Sequence, residues 1–562
     1  YRTGSSRQGL GLSGEHVLLV PPLTVPACEG TDLPLTHYEA MTLLAERAAA
    51  SATDFQITEH NQGAAIQLCQ RLDGIPLAIE LAAVRLSSLS LEEILDRLDD
   101  RFRLLTGGGA RIAPRYQQTL RGVVDWSYEL CSEHEQLLWA RLSVFSGGFD
   151  LAGAETVCSG EGIAREEVMD LLAGLVHKSI LAASSGGDRT RYRLLETIRQ
   201  YGQQRLRDLG QDAALRRRHR DYYQGMAAQA AAQWCSPREV EWLSRLQQEL
   251  PNLRVALDFC ITRPDQVQAG VEIAANLTRT RFWIFSSTIS EGRHWLERTL
   301  ALDPYPPHPL RAGATALGAW IALCQGDQQA ADTFLADCRD LAQHLGDSDA
   351  LPAVMFVEGA HAMLVRRDPQ AITVLAQARN QFRHLGAVGD AHMTTMLWAM
   401  AAAFLGDRDT ALATSSEYLA EAEAHQAAWA QSWALWCAGL TELRHGKPHR
   451  AVVLFRKSLG RQHDIDDRWG PMWSIEALAW ATAAIGHHDH AAWLLGAAHR
   501  LRQTIGVVLA GLGPFHDAHI KTDRLVRHTL GAQVYTTVFD QGVNARDAIR
   551  LALDEVVVTV KG

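Results

Sequence analysis

The sequence predicts a mostly α-helical chain in three parts: a short α/β edge, a compact helical module with one β-hairpin, and a long array of stacked helix pairs. Three observations predict it. Helix-start signatures recur along the chain, strand-like runs are few after residue 35, and one residue pattern returns every 40 positions between about 285 and 500.

The first residues, to about 35, are irregular and rich in Gly and Pro, with His16–Val20 as one candidate strand ended by Pro21 and Pro22. From Thr36 the pattern turns helical. Thr36 and Glu39 form a capping-box pair, in which a hydroxyl and a carboxylate each satisfy a free amide of the first turn. The same spacing occurs at Ser90/Glu93, Ser132/Glu135 and Ser236/Glu239, the last with Pro237 placed as a first helical residue. A hairpin is predicted around Ser184–Gly187, between Ser179–Ala183 and Thr190–Leu194.

In the repeating part, turns fall at Gly326, Arg366, Gly406, Gly446 and Gly486. Five residues after each stands an alanine: Ala331, Ala371, Ala411, Ala451 and Ala491. Seven residues before each stands Ala319, Gly359, Ala399, Gly439 or Ala479. Four residues past the alanines come Leu335, Leu375, Ser415, Phe455 and Leu495. Small residues on both helices of a pair let the backbones approach, and larger neighbours fill the gaps. One such pair cannot bury its apolar face alone, but a stack can. The layout is similar to the tetratricopeptide repeat, with a period longer than its ~34 residues. A weaker earlier copy runs through Glu291–Leu296.

Composition bounds the function. A length of 562 residues with 47% hydrophobic and 21% charged residues fits several soluble globular domains. A net charge of −10 argues against non-specific nucleic-acid binding by the whole chain. The nine cysteines form no Cys-x-x-Cys pair, as expected for a reducing compartment rather than a disulfide or zinc framework. No run approaches the ~20 apolar residues of a membrane span, and the start has no secretory pattern. The expected location is the cytoplasm, without membrane attachment. The opening at Tyr1 reads as a fragment.

Catalytic motifs are missing from the sequence. There is no Gly-x-x-x-x-Gly-Lys-Ser/Thr phosphate loop, no Gly-x-Ser-x-Gly elbow and no His-Glu-x-x-His helix. The expectation is no enzyme activity from this chain, with no catalytic residues. His487-His488-Asp489-His490 and His516-Asp517-Ala518-His519 read as polar turn and helix residues rather than metal ligands. The basic run Arg189, Arg191, Arg193, Arg199, Arg205, Arg207 and Arg216–Arg220 reads as a solvated helix face and linker or a contact with a nucleotide domain, with DNA contact as the sharper alternative.

Locally, Leu72-Asp73-Gly74-Ile75-Pro76-Leu77-Ala78 is a helix end followed by a new helix start. The string also resembles the Gly-x-Pro-Leu-Ala motif of the STAND signalling ATPases, the class that includes NB-ARC proteins. Upstream, Ser5-Ser6-Arg7 and Gly14-Glu15-His16-Val17 resemble the end of their sensor strand. The resemblance implies Pro76 against an adenine and Arg7 toward a terminal phosphate. Residues 117–205 resemble the winged-helix module that follows in those proteins, from Asp125-Trp126-Ser127-Tyr128 through Leu137–Phe145 to Tyr192–Gly202. Where NB-ARC proteins carry Met-His-Asp, this chain has Leu194-Leu195-Glu196, and Leu195 cannot donate a hydrogen bond to phosphate. Ala491–Ala498, Phe539-Asp540-Gln541-Gly542 and Ala548–Leu553 complete a likeness, over nearly the full chain, to the large LuxR-type transcriptional regulators of actinobacteria.

That resemblance implies six segments: 1–35, the edge of a nucleotide-binding α/β domain; 36–115, a helical ATPase-associated domain; 116–210, a winged-helix-like domain; 211–285, a helical linker; 286–500, tetratricopeptide-like repeats; and 501–562, a helical cap. It implies an ATP-dependent, signal-transducing transcriptional regulator whose repeats receive a protein or small-molecule effector, with self-association as a further expectation. ATP or ADP would be held by complete relatives, and DNA would be read by a helix-turn-helix outside this chain. No cofactor is expected to bind this chain alone. The rival expectation is a non-catalytic interaction scaffold.

Overall fold

The computed structural model describes residues 21–26, 34, 37–51, 55–86, 89–97, 120–178, 180–184, 189–346, 350–545 and 547–554. Arg7, Thr36 and the candidate strand His16–Val20 lie outside them, as does nearly all of the expected α/β edge. The chain divides into two compact units, Tyr1–Tyr222 and Tyr223–Gly562.

The first unit opens with helices α1 (Glu39–Ser51), α2 (Gln62–Arg71), α3 (Pro76–Arg85) and α4 (Leu91–Arg97). Met41, Leu44, Ile66, Leu68, Leu72, Ile79 and Ile94 close one core among them. At the start of α1, Thr24, fifteen positions before Glu39, exchanges bonds with it: Thr24 Oγ1 accepts the Glu39 N–H at 3.3 Å, and Glu39 Oε2 accepts the Thr24 N–H at 3.0 Å. The Ser90/Glu93 pair does form a local capping box before α4.

Then follow α5 (Leu120–Glu129), α6 (Glu133–Leu142), β1 (Phe149–Asp150), α7 (Leu151–Cys158), α8 (Val168–His177), β2 (Leu181–Ser184), β3 (Arg191–Leu194), α9 (Glu196–Asp208) and α10 (Asp212–Ala232), the last running past the division. Ser132 and Glu135 make the predicted capping box on α6. The sheet has the order β1-β3-β2 and is antiparallel throughout, with Leu181 opposite Leu194 and Ser184 opposite Arg191. The predicted hairpin strands are therefore present and paired antiparallel.

In the second unit, α11 (Glu239–Ile261), α12 (Val267–Arg279), α13 (Phe282–Phe285) and α14 (Ile289–Leu302) lead into five hairpins. These are α15/α16 (Pro309–Gln325, Gln328–Leu345), α17/α18 (Leu351–His361, Gln370–His384), α19/α20 (Val388–Leu405, Arg408–Ala424), α21/α22 (Ala428–His445, Pro448–Asp464) and α23/α24 (Gly470–Ala484, His488–Ile505). The five predicted alanines are all buried. Two of the small residues before the turns face the large residue sixteen positions on: a Cβ on Gly359 would lie 2.6 Å from Leu375 Cγ, and one on Gly439 would lie 2.7 Å from Phe455 Cε1. In the second hairpin, where Arg366 stands in the glycine column, α17 ends in a π-helical turn, Ala362–Arg366. The wider turn takes up one more residue, so Arg367 adopts the left-handed conformation that Gly326 has in the first hairpin.

Two expectations are corrected here. From Tyr223 onward the stretch read as a linker is part of the repeat unit: Arg279 on α12 pairs with Asp390 on α19 at 2.6 Å. Ser236 and Glu239 form no capping box. Pro237 lies in the turn before α11, and Glu239 is buried with its Oε2 accepting the Trp429 N–H at 2.9 Å. The carboxyl oxygen thus accepts from a free first-turn amide of α21, a helix distant in sequence.

The chain ends in α25 (Gly513–Leu530), α26 (Ala532–Val543) and α27 (Ala548–Leu553). Beyond covering the last hairpin, α25 sends Phe515 inward, where its ring packs on Phe404, Trp436 and Trp473. The eight cysteines among the described residues are all free and buried. No helix among them is long and apolar enough to cross a membrane.

Candidate functional site

The Gly-Ile-Pro-Leu-Ala element and the module after it meet at a cleft within the first unit. At the end of α2, Asp73 and Gly74 both take left-handed backbone angles and turn the chain sharply into α3. Gly74 is required there, because a Cβ would fall 2.2 Å from the Leu23 carbonyl oxygen. This turn aims Asp73 at the start of α9, where its Oδ2 accepts the Thr197 N–H at 3.2 Å. Leu195 is the N-cap of α9 and has no side chain able to serve that amide, so Asp73 supplies the cap from another element.

Around this contact lies a cavity of about 350 Å³ lined by Gln70, Arg71 and Asp73 on one side and by Gly147, Gly148, Arg193, Leu194, Glu196 and Arg199 on the other. Arg199 is paired with Glu196 at 2.7 Å, and Arg71 donates to the Leu95 carbonyl at 3.0 Å. Three guanidinium groups and two carboxylates line the cleft, an excess of positive charge suited to an anion. Pro76 is exposed at the first position of α3 and is not among the lining residues. Of the two sequence-predicted positions, then, one stands beside the cleft and the other, Arg7, is outside the described residues. Sequence reasoning missed Asp73, whose partner is 124 positions away and leaves no local signal.

The second half of the unit is built around α6 and α9. A Cβ on Gly202 would meet Ser143 and Trp139 at about 3 Å, so the two helices cross closely. Trp139 Nε1 donates to the Ile198 carbonyl at 3.0 Å, and Tyr128, Trp139 and Tyr201 pack edge to face or tilted. Arg141, 2% exposed, ties the loop after α7: Nη1 reaches the carbonyls of Cys158 and Gly160, and Nη2 that of Glu161.

Residues 131–207 match the winged helix-turn-helix domain. The helix-turn-helix is α7 and α8, and the wing is the β2–β3 hairpin. In this winged helix, α8 occupies the place of a recognition helix. Its exposed residues include Met169, Asp170, Ala173 and His177, after exposed Glu166 and Glu167. Lys178, at its end, is engaged with Glu135 at 2.5 Å. The basic run is largely paired within the unit: Arg189 with Asp150, Arg205 with Asp125, Arg216 with Asp212, and Arg218 with the Ser159 carbonyl.

Over 471 residues the chain is 34% identical to a protein of Mycobacterium tuberculosis named provisionally as an HTH-type transcriptional regulator, covering 75% of this chain and 51% of that protein. A Mycobacterium bovis protein of the same provisional name matches equally. An uncharacterized protein of Mycobacterium tuberculosis is 39% identical over 219 residues, covering 39% of this chain and 53% of its own length. The chain spans about half the length of the curated relatives it matches. Among solved structures it is similar, at 12% identity and a TM-score of 0.42 over 90% of this chain and 75% of the other, to a STAND protein with a tetratricopeptide repeat sensor from Pyrococcus horikoshii. Among the described residues no group of three or more His, Cys, Asp and Glu could hold a metal ion.

Proposed function

We propose that this chain is the signal-processing part of an ATP-dependent transcriptional regulator, with the repeats receiving the effector and the Asp73 cleft relaying nucleotide state. The observation that carries the reading is the Asp73–Thr197 hydrogen bond, which makes the start of α9 depend on the turn before Pro76. An anion entering beside Arg71, Arg193 and Arg199 would compete for this same helix start and bias two packings of the unit. The resemblance to the STAND ATPases and the names of the mycobacterial relatives support the reading.

In this reading the winged helix is a coupling element and not the DNA reader. The acidic residues at and before α8 would face phosphate with like charge, whereas a major-groove helix needs cations around it.

The test is amide exchange in the full chain at saturating ATP or ADP. Amides 195–199 should exchange at different rates in the two states, and Asp73→Ala should remove the difference. Equal exchange in both states would overturn the switch and favour an interaction scaffold.

A further inference from the structure

A second cavity lies inside the repeat unit, where α12, α15, α17 and the turn from α18 to α19 meet. It encloses about 240 Å³ and is walled mainly by small and apolar side chains, among them Ala275, Ala314, Leu317, Ala353 and Phe382. Its charged groups are Arg279, Arg281 and Asp390. One carboxylate therefore faces two guanidinium groups.

The carboxylate is committed to Arg279, whose Nη2 and Nε reach Asp390 Oδ2 at 2.6 and 2.9 Å. Arg281 is left poorly served. It is 2% exposed, its Nη2 stands 4.0 Å from Asp390 Oδ1, and its Nη1 donates to the Thr278 carbonyl at 3.2 Å. Its Nε has no hydrogen-bond partner among the described residues. A buried guanidinium with unfilled donors is costly, and a group of this kind calls for an explanation. The backbone holds it in place, with Arg281 in the left-handed region at φ 58°. Burial draws its pKa down to about 10, so the group keeps its charge at neutral pH.

Gly313, which also lines the cavity, lies within α15, where glycine is a poorer helix former than alanine. A Cβ added there would meet nothing within 4 Å. The helix thus gives up propensity beside an open apolar space that ends on an under-satisfied cation.

We propose that this cavity binds a small monocarboxylate with an apolar body, its carboxylate on Arg281 and its body along Gly313, Leu317 and Phe382. The volume lies just under the usual ligand-pocket range, which sets the ligand at roughly ten heavy atoms. The assignment rests on reading the repeats as the sensor, and it names the class of effector.

Calorimetric titration of the full chain with octanoate and with phenylacetate, each beside its neutral amide, tests the site. At least one carboxylate should bind, and its amide should bind roughly 10- to 100-fold more weakly, the range for losing a charged hydrogen bond. Arg281→Met should erase that preference. Gly313→Leu is the second variant, since it fills the cavity from open space: it should keep or raise the melting temperature and abolish binding. Equal affinity for acid and amide overturns the proposal, as does carboxylate binding that survives Gly313→Leu, or no binding of either acid up to about 10 mM. Carboxylate binding that leaves amides 195–199 unchanged in the full chain would overturn the sensor reading while the site stands.

Discussion

Gly496 on α24 and Gly542 on α26 each lie against the backbone of the other's helix. A Cβ on Gly496 would fall 2.0 Å from the Phe539 carbonyl oxygen, and one on Gly542 would fall 2.0 Å from that of Trp493. The reciprocal contact fastens the C-terminal helices to the last hairpin. The obstacle is backbone on both sides, so no side chain can swing away. Gly496→Ala or Gly542→Ala should therefore cost about 3 kcal/mol, the upper end for overpacking. Denaturant melts of the two single variants and the double would measure it, and the double should fall short of the sum, because either change already forces the helices apart.

Ala451 tests the register of the array. It is fully buried, and the ring of Phe455 one turn later fills the space over Gly439. Ala451→Leu should lose ~1–3 kcal/mol. His488→Ala, half-buried at the first position of α24, should change stability by under ~0.5 kcal/mol. Thermal melts of the full chain that reverse this order would show the register to be wrong.

Arg141 holds three carbonyls of the loop after α7. Arg141→Met keeps the bulk and removes every donor, leaving those acceptors without their cation. A loss of ~3 kcal/mol or more is expected in the first unit, and Arg141→Lys should recover only a part, since one ammonium lacks the fork geometry. Urea unfolding followed by Trp139 fluorescence would check it.

Glu239 makes stability depend on pH. Burial, only partly offset by backbone hydrogen bonds including that from Trp429, raises its pKa to about 8 from the ordinary 4.5. Between these values the folded chain holds a proton that the unfolded chain has released. Stability therefore falls as pH rises through that window and levels off above it. Glu239→Gln should melt close to the parent near pH 5 and above it at about pH 8.5. A constant difference across melts at both values would exclude Glu239 as the titrating group.

Nucleotide affinity is to be measured on the chain itself. Pro76 is exposed at the start of α3 and offers at most an edge contact. Tight ATP binding commonly rests on a phosphate loop, and this sequence contains no Gly-x-x-x-x-Gly-Lys-Ser/Thr motif. Calorimetry should give a Kd weaker than ~100 µM and no phosphate release; micromolar binding would contradict the expectation.

The array was legible because its constraints are local and recur. Glycines at turns, small residues at helix crossings and the alanine column each follow from a hairpin's own geometry, so they repeat with the hairpin. The β2–β3 hairpin and the capping boxes at Ser90 and Ser132 were readable for the same reason. Long-range partners were not. Thr24 bonds to the start of α1, Glu239 caps α21 in place of its own helix, and Asp73 caps α9, yet nothing local in the sequence marks these partners. Arg281 was equally silent: one arginine in an apolar stretch announces neither its burial nor a single carboxylate shared with Arg279. The site was thus legible only as a motif beside it.

The buried thiols make the chain its own stopwatch. Burial pushes Cys69 and Cys158 up to about 12, so neither presents a thiolate while folded. A thiol reagent can reach them only through opening of the structure. Cys69, Cys131 and Cys158 mark the first unit, whereas Cys235, Cys260, Cys324, Cys338 and Cys437 mark the second. Mapping labelled peptides over time would separate the opening rates of the two units in one sample, without any engineered probe.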